Sequence, residues 1–321
     1  MSEQNIRIGW VGFHVEGVPA LRALLETGVR LEGVITLDEK SLAKRSATVD
    51  YPALLTSYDV PVYAVKNIND PESVAILHSM NLDLLIVIGW SQILKPEALQ
   101  AARLGVIGAH ASPLPHNRGS APVNWTLIKG EEVGGNTLMW LSEGVDEGNM
   151  VDQMTFPVTP YDTCATLYDK VAETNKQMIL RLLPKLYEGE KPSTPQQHTD
   201  EPILPRRRPA DGLVDWTQSA QKVYDFVRAL TRPYPGAFSV MEEKKWLIQS
   251  CALLPEHAWG EGEPGTVVGV VCSPVAGACG QVVLCGEGAV LILDIEDEEG
   301  EVLTGYALSD QKWTGKVWQN G

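Results

Sequence analysis

Over roughly the first 150 residues, short continuous apolar runs alternate with stretches whose apolar positions recur at helical spacing. Residues 5–12 (Asn-Ile-Arg-Ile-Gly-Trp-Val-Gly) form one run, residues 31–37 a second, 60–65 a third and 83–89 (Asp-Leu-Leu-Ile-Val-Ile-Gly) the most apolar of all. Between them, residues 17–26 place Val18, Leu21, Leu24 and Leu25 on one helix face, and residues 71–80 read as another helix. Strands buried on both faces, alternating with amphipathic helices, predict an α/β domain around a doubly wound, mainly parallel sheet. Such sheets take ligands at the carboxyl ends of their strands, so the segments after Val11, Leu37, Gly89 and His110 carry the functional interest. The first of these, Gly12-Phe-His-Val-Glu-Gly17, lacks the G-x-G-x-x-G spacing of a dinucleotide loop, and dinucleotide binding is not expected.

The texture changes near residues 187–209, where five prolines and the cluster Arg206-Arg207-Arg208 stand between periodic segments. A polar, proline-rich stretch of this kind reads as a linker. The division expected is a catalytic domain over 1–190, a linker over 191–206 and a smaller C-terminal domain over 207–321. That last part opens with an amphipathic helix over 219–230 (Val223, Phe226, Val227, Leu230) and continues as short segments near 246–253, 265–272, 280–285 and 289–295. Glycine-punctuated strands of this length predict a β-rich, barrel-like domain.

Charge and composition narrow the class. Hydrophobic residues make up 44% and charged residues 21% of the chain, with no apolar stretch near the length of a membrane span. The opening Met-Ser-Glu-Gln-Asn lacks the positive charge of a secretory leader, so a cytoplasmic protein is expected. Five cysteines (Cys164, Cys251, Cys272, Cys279, Cys285), with no CxxC pair and no histidine among the last three, predict reduced and buried thiols rather than a zinc site. The net charge is −15; residues 255–321 hold eleven acids against Lys312 and Lys316, a net −9. A phosphate backbone would be repelled by that end, so no nucleic-acid partner is expected, and no membrane partner.

The densest chemistry lies in Gly108-Ala-His-Ala-Ser-Pro-Leu-Pro-His-Asn-Arg-Gly-Ser-Ala-Pro122. His110 ends an apolar strand over 104–109, two prolines force an irregular turn, and Pro122 suits the first turn of a helix over 123–129. A strand over 135–141 then leads to Val145-Asp-Glu-Gly148, where Asp146 can face back toward His110. From the residues alone, His110 and Asp146 are either a general acid/base pair or a structural histidine beside a plain turn.

The run from His110 to Pro122, followed by Asn124-Trp, Lys129-Gly-Glu, Asn136-Thr-Leu and Val145-Asp-Glu-Gly, closely resembles the signature of the 10-formyltetrahydrofolate-dependent formyltransferases. The resemblance continues past the linker through residues 207–216, Arg228-Ala-Leu and Tyr234-Pro-Gly-Ala-Phe238. It implies a formyl-transferring enzyme with 10-formyltetrahydrofolate as co-substrate and without a metal, His110 and Asp146 being catalytic. Residues 88–94 fall at the family's folate loop, which would assign Ile88, Gly89, Trp90, Ser91 and Gln92 to the pterin, although Trp90 reads equally well as a core residue. Lys40, Asn117, Arg118 and Asn124 are the expected acceptor-binding residues. One position departs from the pattern: Gly108 stands where the family carries the asparagine that holds the formyl oxygen. Asn117, Asn136, a backbone N–H or water would have to substitute.

Within the family, the Pro-Val-Asn-Trp helix start resembles the enzymes acting on nucleotide-linked amino sugars, which makes a small amine the expected acceptor and initiator methionyl-tRNA the alternative. Lys40, Lys44 and Arg45, set against Asp38 and Glu39, would grip a diphosphate or form a plain solvated loop. Hydrolysis of the formyl donor, a non-catalytic folate-binding role and a homodimer stay open.

Overall fold

A computed structural model describes residues 6–255, 257–273 and 279–319; the first residue of the strand expected over 5–12 and the N-terminal segment read for a leader lie outside them. The chain divides into two compact units, one formed by 1–122, 133–158 and 167–205, the other by 123–132, 159–166 and 206–321.

Unit 1 is the α/β domain that the apolar runs predict. Its elements are β1 (Ile8–Val11), α1 (Val18–Glu26), β2 (Leu31–Leu37), α2 (Glu39–Leu42), α3 (Tyr51–Leu54), β3 (Val62–Val65), α4 (Pro71–Ser79), β4 (Leu82–Val87), α5 (Pro96–Leu99) and β5 (Ala102–His110). After α6 (Pro122–Ile128) come β6 (Val133–Trp140), β7 (Met150–Pro157) and α7 (Cys164–Tyr187). The strands lie in the order β3-β2-β1-β4-β5-β6-β7. The first five run parallel, and β6 and β7 are antiparallel to their neighbours.

Strand β4, buried at every position, shows why the sheet is covered twice. Leu84 and Ile86 join Trp10, Leu21 and Leu24 of one core together with Met178, Ile179 and Leu182 of α7. Leu85 and Val87 join Leu77 and Ala98 of the opposite core. Side chains alternate across a strand, so one apolar run serves both layers. The strand order reverses direction between β1 and β4, which opens the crevice where sheets of this type bind ligands.

Sequence periodicity left residues 150–187 without elements. Strand β7 alternates half-buried with exposed positions and has no buried one, a pattern too weak for a core strand, and the apolar stripe of α7 is interrupted by the buried polar residues Thr174 and Asn175 and by Pro184.

Unit 2 contains α8 (Ala220–Leu230), β8 (Ala237–Met241), β9 (Lys244–Leu253), β10 (Val267–Cys272), β11 (Cys279–Leu284), β12 (Ala289–Asp297), β13 (Val302–Thr304) and α9 (Gly305–Ser309). Its antiparallel sheet has the order β10-β11-β12-β9-β8, with β13 on β12. The sheet's two ends are stitched by the final segment: Val317 bridges Thr266 beside β10, and Gln319 bridges Val240 of β8. Helix α8 begins where the Ser219 side chain accepts from the Lys222 N–H. It carries a buried Arg228–Asp225 pair, with Arg228 also donating to the carbonyls of Thr159 and Asp162 at 2.9 Å each, so the buried cation is fully compensated.

Trp216 is fully buried and donates from Nε1 to Ser239 Oγ at 3.0 Å, while the hydroxyl donates to Gln319 O at 2.9 Å. Ser239→Ala removes both of these buried bonds, leaving the Gln319 carbonyl without this donor, and should cost about 1–3 kcal/mol, read as a lower urea midpoint. An unchanged midpoint would show that the bonds contribute nothing net.

Four of the five cysteines are buried and Cys272 is exposed, a correction to the expectation that all lie inside. Cys272 sits directly opposite Cys279 in the β10–β11 ladder, on the outer strand of the sheet. Burial pushes the Cys164 and Cys285 thiols up to about 12.

Candidate active site

The loop after β5 is built by side chains that leave it little freedom. Thr137 Oγ1 of β6 donates to Ser112 O at 2.8 Å and accepts from the Leu114 N–H at 3.2 Å and from Gln153 Nε2 at 2.9 Å. A hydroxyl has one donor and two lone pairs, so this one is saturated. Ser112 Oγ donates to His116 O at 2.7 Å, and the Leu114–Pro115 peptide is cis. Asn117 then adopts a left-handed backbone (φ 56°), a conformation asparagine tolerates better than most residues. The result turns the Asn117 carbonyl onto His110 Nε2 at 2.8 Å.

A carbonyl can only accept, so Nε2 carries the proton of that bond. Nδ1 is left as the nitrogen able to take up and release a proton, and it faces Asp146 Oδ2 at 3.5 Å. Both side chains are largely withdrawn from water, 8% and 19% exposed, which strengthens their interaction relative to bulk solvent. Asp146 has φ 53° in the loop after β6, and its Oδ2 also accepts the Gly119 N–H at 2.9 Å. Two loops from neighbouring strands therefore converge on one imidazole–carboxylate pair.

Of the residues singled out in the sequence, His110, Asp146, Asn117 and Arg118 are brought together here. Arg118 Nη1 lies 3.5 Å from Glu147, and its Nε is buried without a partner. Ile88 and Gly89 follow β4, the neighbour of β5; Gly89 has φ 69° and its carbonyl accepts the Phe13 N–H. A side chain at Gly89 would strike His14 Cβ at 2.7 Å. Trp90 is half-buried, 5.7 Å from the Phe13 ring, with Nε1 buried and unpaired, and Ser91 is exposed. The Gln92 side chain is committed elsewhere: Oε1 accepts the Ile68 N–H at 2.8 Å and Nε2 donates to Lys66 O at 2.9 Å. Gln92 can therefore offer a ligand only its backbone.

Two expected acceptor residues stand apart from the pair. Lys40 is exposed on α2, after β2, which is separated from β5 by β1 and β4, about 14 Å at ordinary strand spacing. Asn124 belongs to unit 2, where its buried amide donates to Ala229 O at 2.6 Å, so the side chain holds the end of α8.

Gly108 is buried in β5, opposite Met139 of β6. A Cβ at this position would lie 2.5 Å from Leu141 Cδ2 and 2.9 Å from its Cγ. Leu141 thus fills the volume into which a side chain at 108 would project. Asn136, one of the candidate substitutes, is fully buried with Nδ2 directed at Val171 O, Thr174 Oγ1 and Asn175 Oδ1. Its amide ties β6 to α7 and offers no donor to a substrate.

Composition concealed one part of the site. Residues 191–204 are pinned along unit 1: Met150 and Thr194 exchange two backbone hydrogen bonds of 2.7 and 2.8 Å, Leu204 donates to Arg118 O at 2.7 Å, and Ser120 donates to Leu204 O at 3.0 Å. The stretch expected to be a linker is therefore a strap, and its attachments are mostly backbone groups that composition does not register. Gln196 and Glu201 project from it onto the loops just described, and only their distance in sequence kept them from notice.

Comparison with known proteins places the chain in a family. The formyl transferase model matches residues 21–183, and the formyl transferase C-terminal domain matches residues 207–311. The methionyl-tRNA formyltransferase of Citrifermentans bemidjiense is 30% identical over 320 residues, covering 97% of each chain. That of Symbiobacterium thermophilum is 32% identical over 295 residues, 91% of this chain and 88% of the relative. Among solved structures, HypX from Aquifex aeolicus in complex with tetrahydrofolic acid matches with a TM-score of 0.64 at 22% identity, covering 94% of this chain but 46% of HypX. The sugar 3N-formyl transferase WlaRD matches with a TM-score of 0.64 at 15% identity, over 93% of this chain and all of that one. At these identities the structural matches carry the fold alone.

These relatives overturn two expectations. The amino-sugar acceptor and the absence of a nucleic-acid partner both give way, because relatives matching nearly end to end are methionyl-tRNA formyltransferases, whereas the sugar enzyme is a distant structural match. The C-terminal end is less acidic in place than its own residues suggest. Asp294 and Glu296 pair with Arg232, Asp297 and Glu301 with Lys244, and Glu298 with Lys245, all cations lying outside residues 255–321. These three cations offset half of the six acids of β12 and the turn after it. With both halves of the chain matched and the His110–Asp146 pair lying within the first matched stretch, the chain belongs to the formyl transferase family.

Proposed function

We propose that this chain transfers the formyl group of 10-formyltetrahydrofolate to the α-amine of methionyl-tRNA. The observation that carries the reading is the near end-to-end similarity to methionyl-tRNA formyltransferases, in a chain whose His110 Nδ1 faces Asp146 at 3.5 Å. The amine attacks the formyl carbon, and a C–N bond forms as the carbonyl becomes an oxyanion. Asp146 takes the amine's proton, directly or through water. His110, protonated on both nitrogens, stabilises the oxyanion and supplies the proton that leaves with N10 as the old C–N bond breaks. The buried, unpaired Trp90 Nε1 and the side-chain-free turn at Gly89 suit a planar donor held after β4. Arg118, with its unpaired Nε, suits an oxygen of the acceptor.

For the nucleic acid, Arg206 and Arg208 are exposed on unit 2. Between them Arg207 lies 5.2 Å from the Trp125 ring and 5.5 Å from that of Phe226. Formylation assays with 10-formyltetrahydrofolate and charged initiator tRNA test the reading. Formyl-methionyl-tRNA is the expected product, with tRNA affinity falling as salt rises, by roughly 0.7–0.9 log units per log unit of salt for each phosphate neutralised. Formate release without acceptor would indicate a hydrolase, and binding of the donor without turnover a folate-binding protein; either outcome defeats the proposal.

A further inference from the structure

We propose that the strap over residues 191–204 positions the catalytic pair and that Gln196 is its positioning residue; the inference rests on formyl transfer being the activity.

Gln196 Nε2 donates to two carbonyls, those of Asp146 and Gly148, at 2.8 Å each. Both partners are acceptors, so the orientation of the amide is fixed by chemistry: the nitrogen must face the loop. The two bonds span the residue that carries the carboxylate. Asp146 needs this support, because its backbone is left-handed at φ 53°, a conformation that costs a non-glycine residue about 1 kcal/mol or more unless its surroundings impose it. The loop from Ser142 to Asn149 is mostly exposed and cannot be held by core packing.

The strap grips the opposite wall of the site as well. Glu201 meets His116 Nδ1 at 2.5 Å and accepts the Asn117 N–H at 3.4 Å. Leu204 brackets Arg118 and Ser120 through its own N–H and carbonyl. Gly119 allows that approach, since a Cβ there would lie 2.5 Å from Leu204 O. Asn117 fixes His110 through its carbonyl, and Asp146 faces the other ring nitrogen. One segment thus holds both the loop that sets the imidazole and the loop that sets the carboxylate. The anchors at its start lie away from the pair: Lys191 Nζ donates to Leu104 O at 2.6 Å and Trp140 Nε1 to Pro192 O at 2.8 Å, while Asn149 Nδ2, at the far end of the Asp146 loop, donates to Ser193 Oγ at 2.9 Å. Gln196 acts through Asp146 and touches no reacting atom.

The test uses the full chain. Gln196→Met keeps the length of the side chain and removes the donor; Gln196→Lys restores one. Partners that orient a functional group are typically worth 10–100-fold, as at metal sites. Gln196→Met should lower kcat for formylation about 10- to 100-fold with both KM values within about twofold of wild type, and Gln196→Lys should recover most of the loss. Amide hydrogen exchange over residues 143–149 should accelerate in Gln196→Met while β4 and β5 exchange as in wild type. Unchanged kcat, or a raised KM at constant kcat, would overturn the proposal. If wild type does not formylate charged tRNA, the proposed function fails first. The exchange measurement still decides, and equal rates over 143–149 in both proteins would overturn the positioning role.

Discussion

Replacing Asp146 with asparagine lowers formyl transfer by about 10²–10⁴, the range contributed by a general acid–base group, and leaves the fold intact. The substitution is informative because the amide oxygen can still accept the Gly119 N–H that Asp146 accepts now at 2.9 Å. What it cannot do is take the proton of the attacking amine or face His110 Nδ1 with a charge. His110→Gln is the matching change on the other side. Its amide can still donate toward the Asn117 carbonyl, which His110 reaches at 2.8 Å, so that buried acceptor need not be orphaned. Turnover should fall over the same range. Single-turnover rates at saturating donor, with circular dichroism and unfolding midpoints on the same preparations, are the measurement. Rates within a few-fold of wild type in both folded variants would remove the pair from the chemistry.

The second large effect concerns the position that departs from the family pattern. Gly108→Asn should lower both stability and turnover, because its Cβ would arrive 2.5 Å from Leu141 Cδ2. Overpacking a filled site of this kind costs typically 1–3 kcal/mol. Leu141→Ala introduced with Gly108→Asn should return the unfolding midpoint most of the way by vacating the same volume. The rate of the double variant then reports on the formyl oxygen. A gain well beyond tenfold, more than about 1.4 kcal/mol, would mean that the native site runs one donor short. No gain means that another donor already serves. The single variant should show no gain in rate, and a tenfold acceleration there would contradict the steric reading outright.

How far the sequence reveals this molecule depends on what kind of interaction defines each part. The sheet was legible because hydrophobic burial leaves a pattern: β2 appears at Leu31–Leu37, as its apolar run predicts, and β4 within two residues of its run. Helix α7 was not, since the polar residues buried in it serve as hydrogen-bonding anchors, Asn136 of β6 bonding to Thr174 and Asn175. His110 and Asp146 could be read from residue type, order and strand ends. Leu141 could not, because a side chain's occupation of another's missing volume is a property of register between β5 and the end of β6. Gln196 and Glu201 lie 50 and 85 residues from the partners they hold, in a stretch whose prolines and polar side chains imitate a tether. Hydrogen bonds to main-chain carbonyls can be made by almost any polar residue, so they leave no compositional trace. The acceptor is not legible for a related reason, since a charge summed along the sequence ignores the partners across the sheet.

The stitch that ends unit 2 bears on self-association. An antiparallel sheet with open sides presents rows of unpaired N–H and C=O groups, which recruit strands from other chains. Here β10 and β8 would be those sides. The Lys316 carbonyl accepts from Val267, Gly265 accepts from Trp318, and Val240 accepts from Gln319, so one short segment occupies both. Trp318 is buried against Trp216 and Trp313 and holds the segment down by its own apolar surface. The protection is thus concentrated in a few residues, and losing them by trimming would cost the unit little of its internal ladder while uncovering two templates for aggregation.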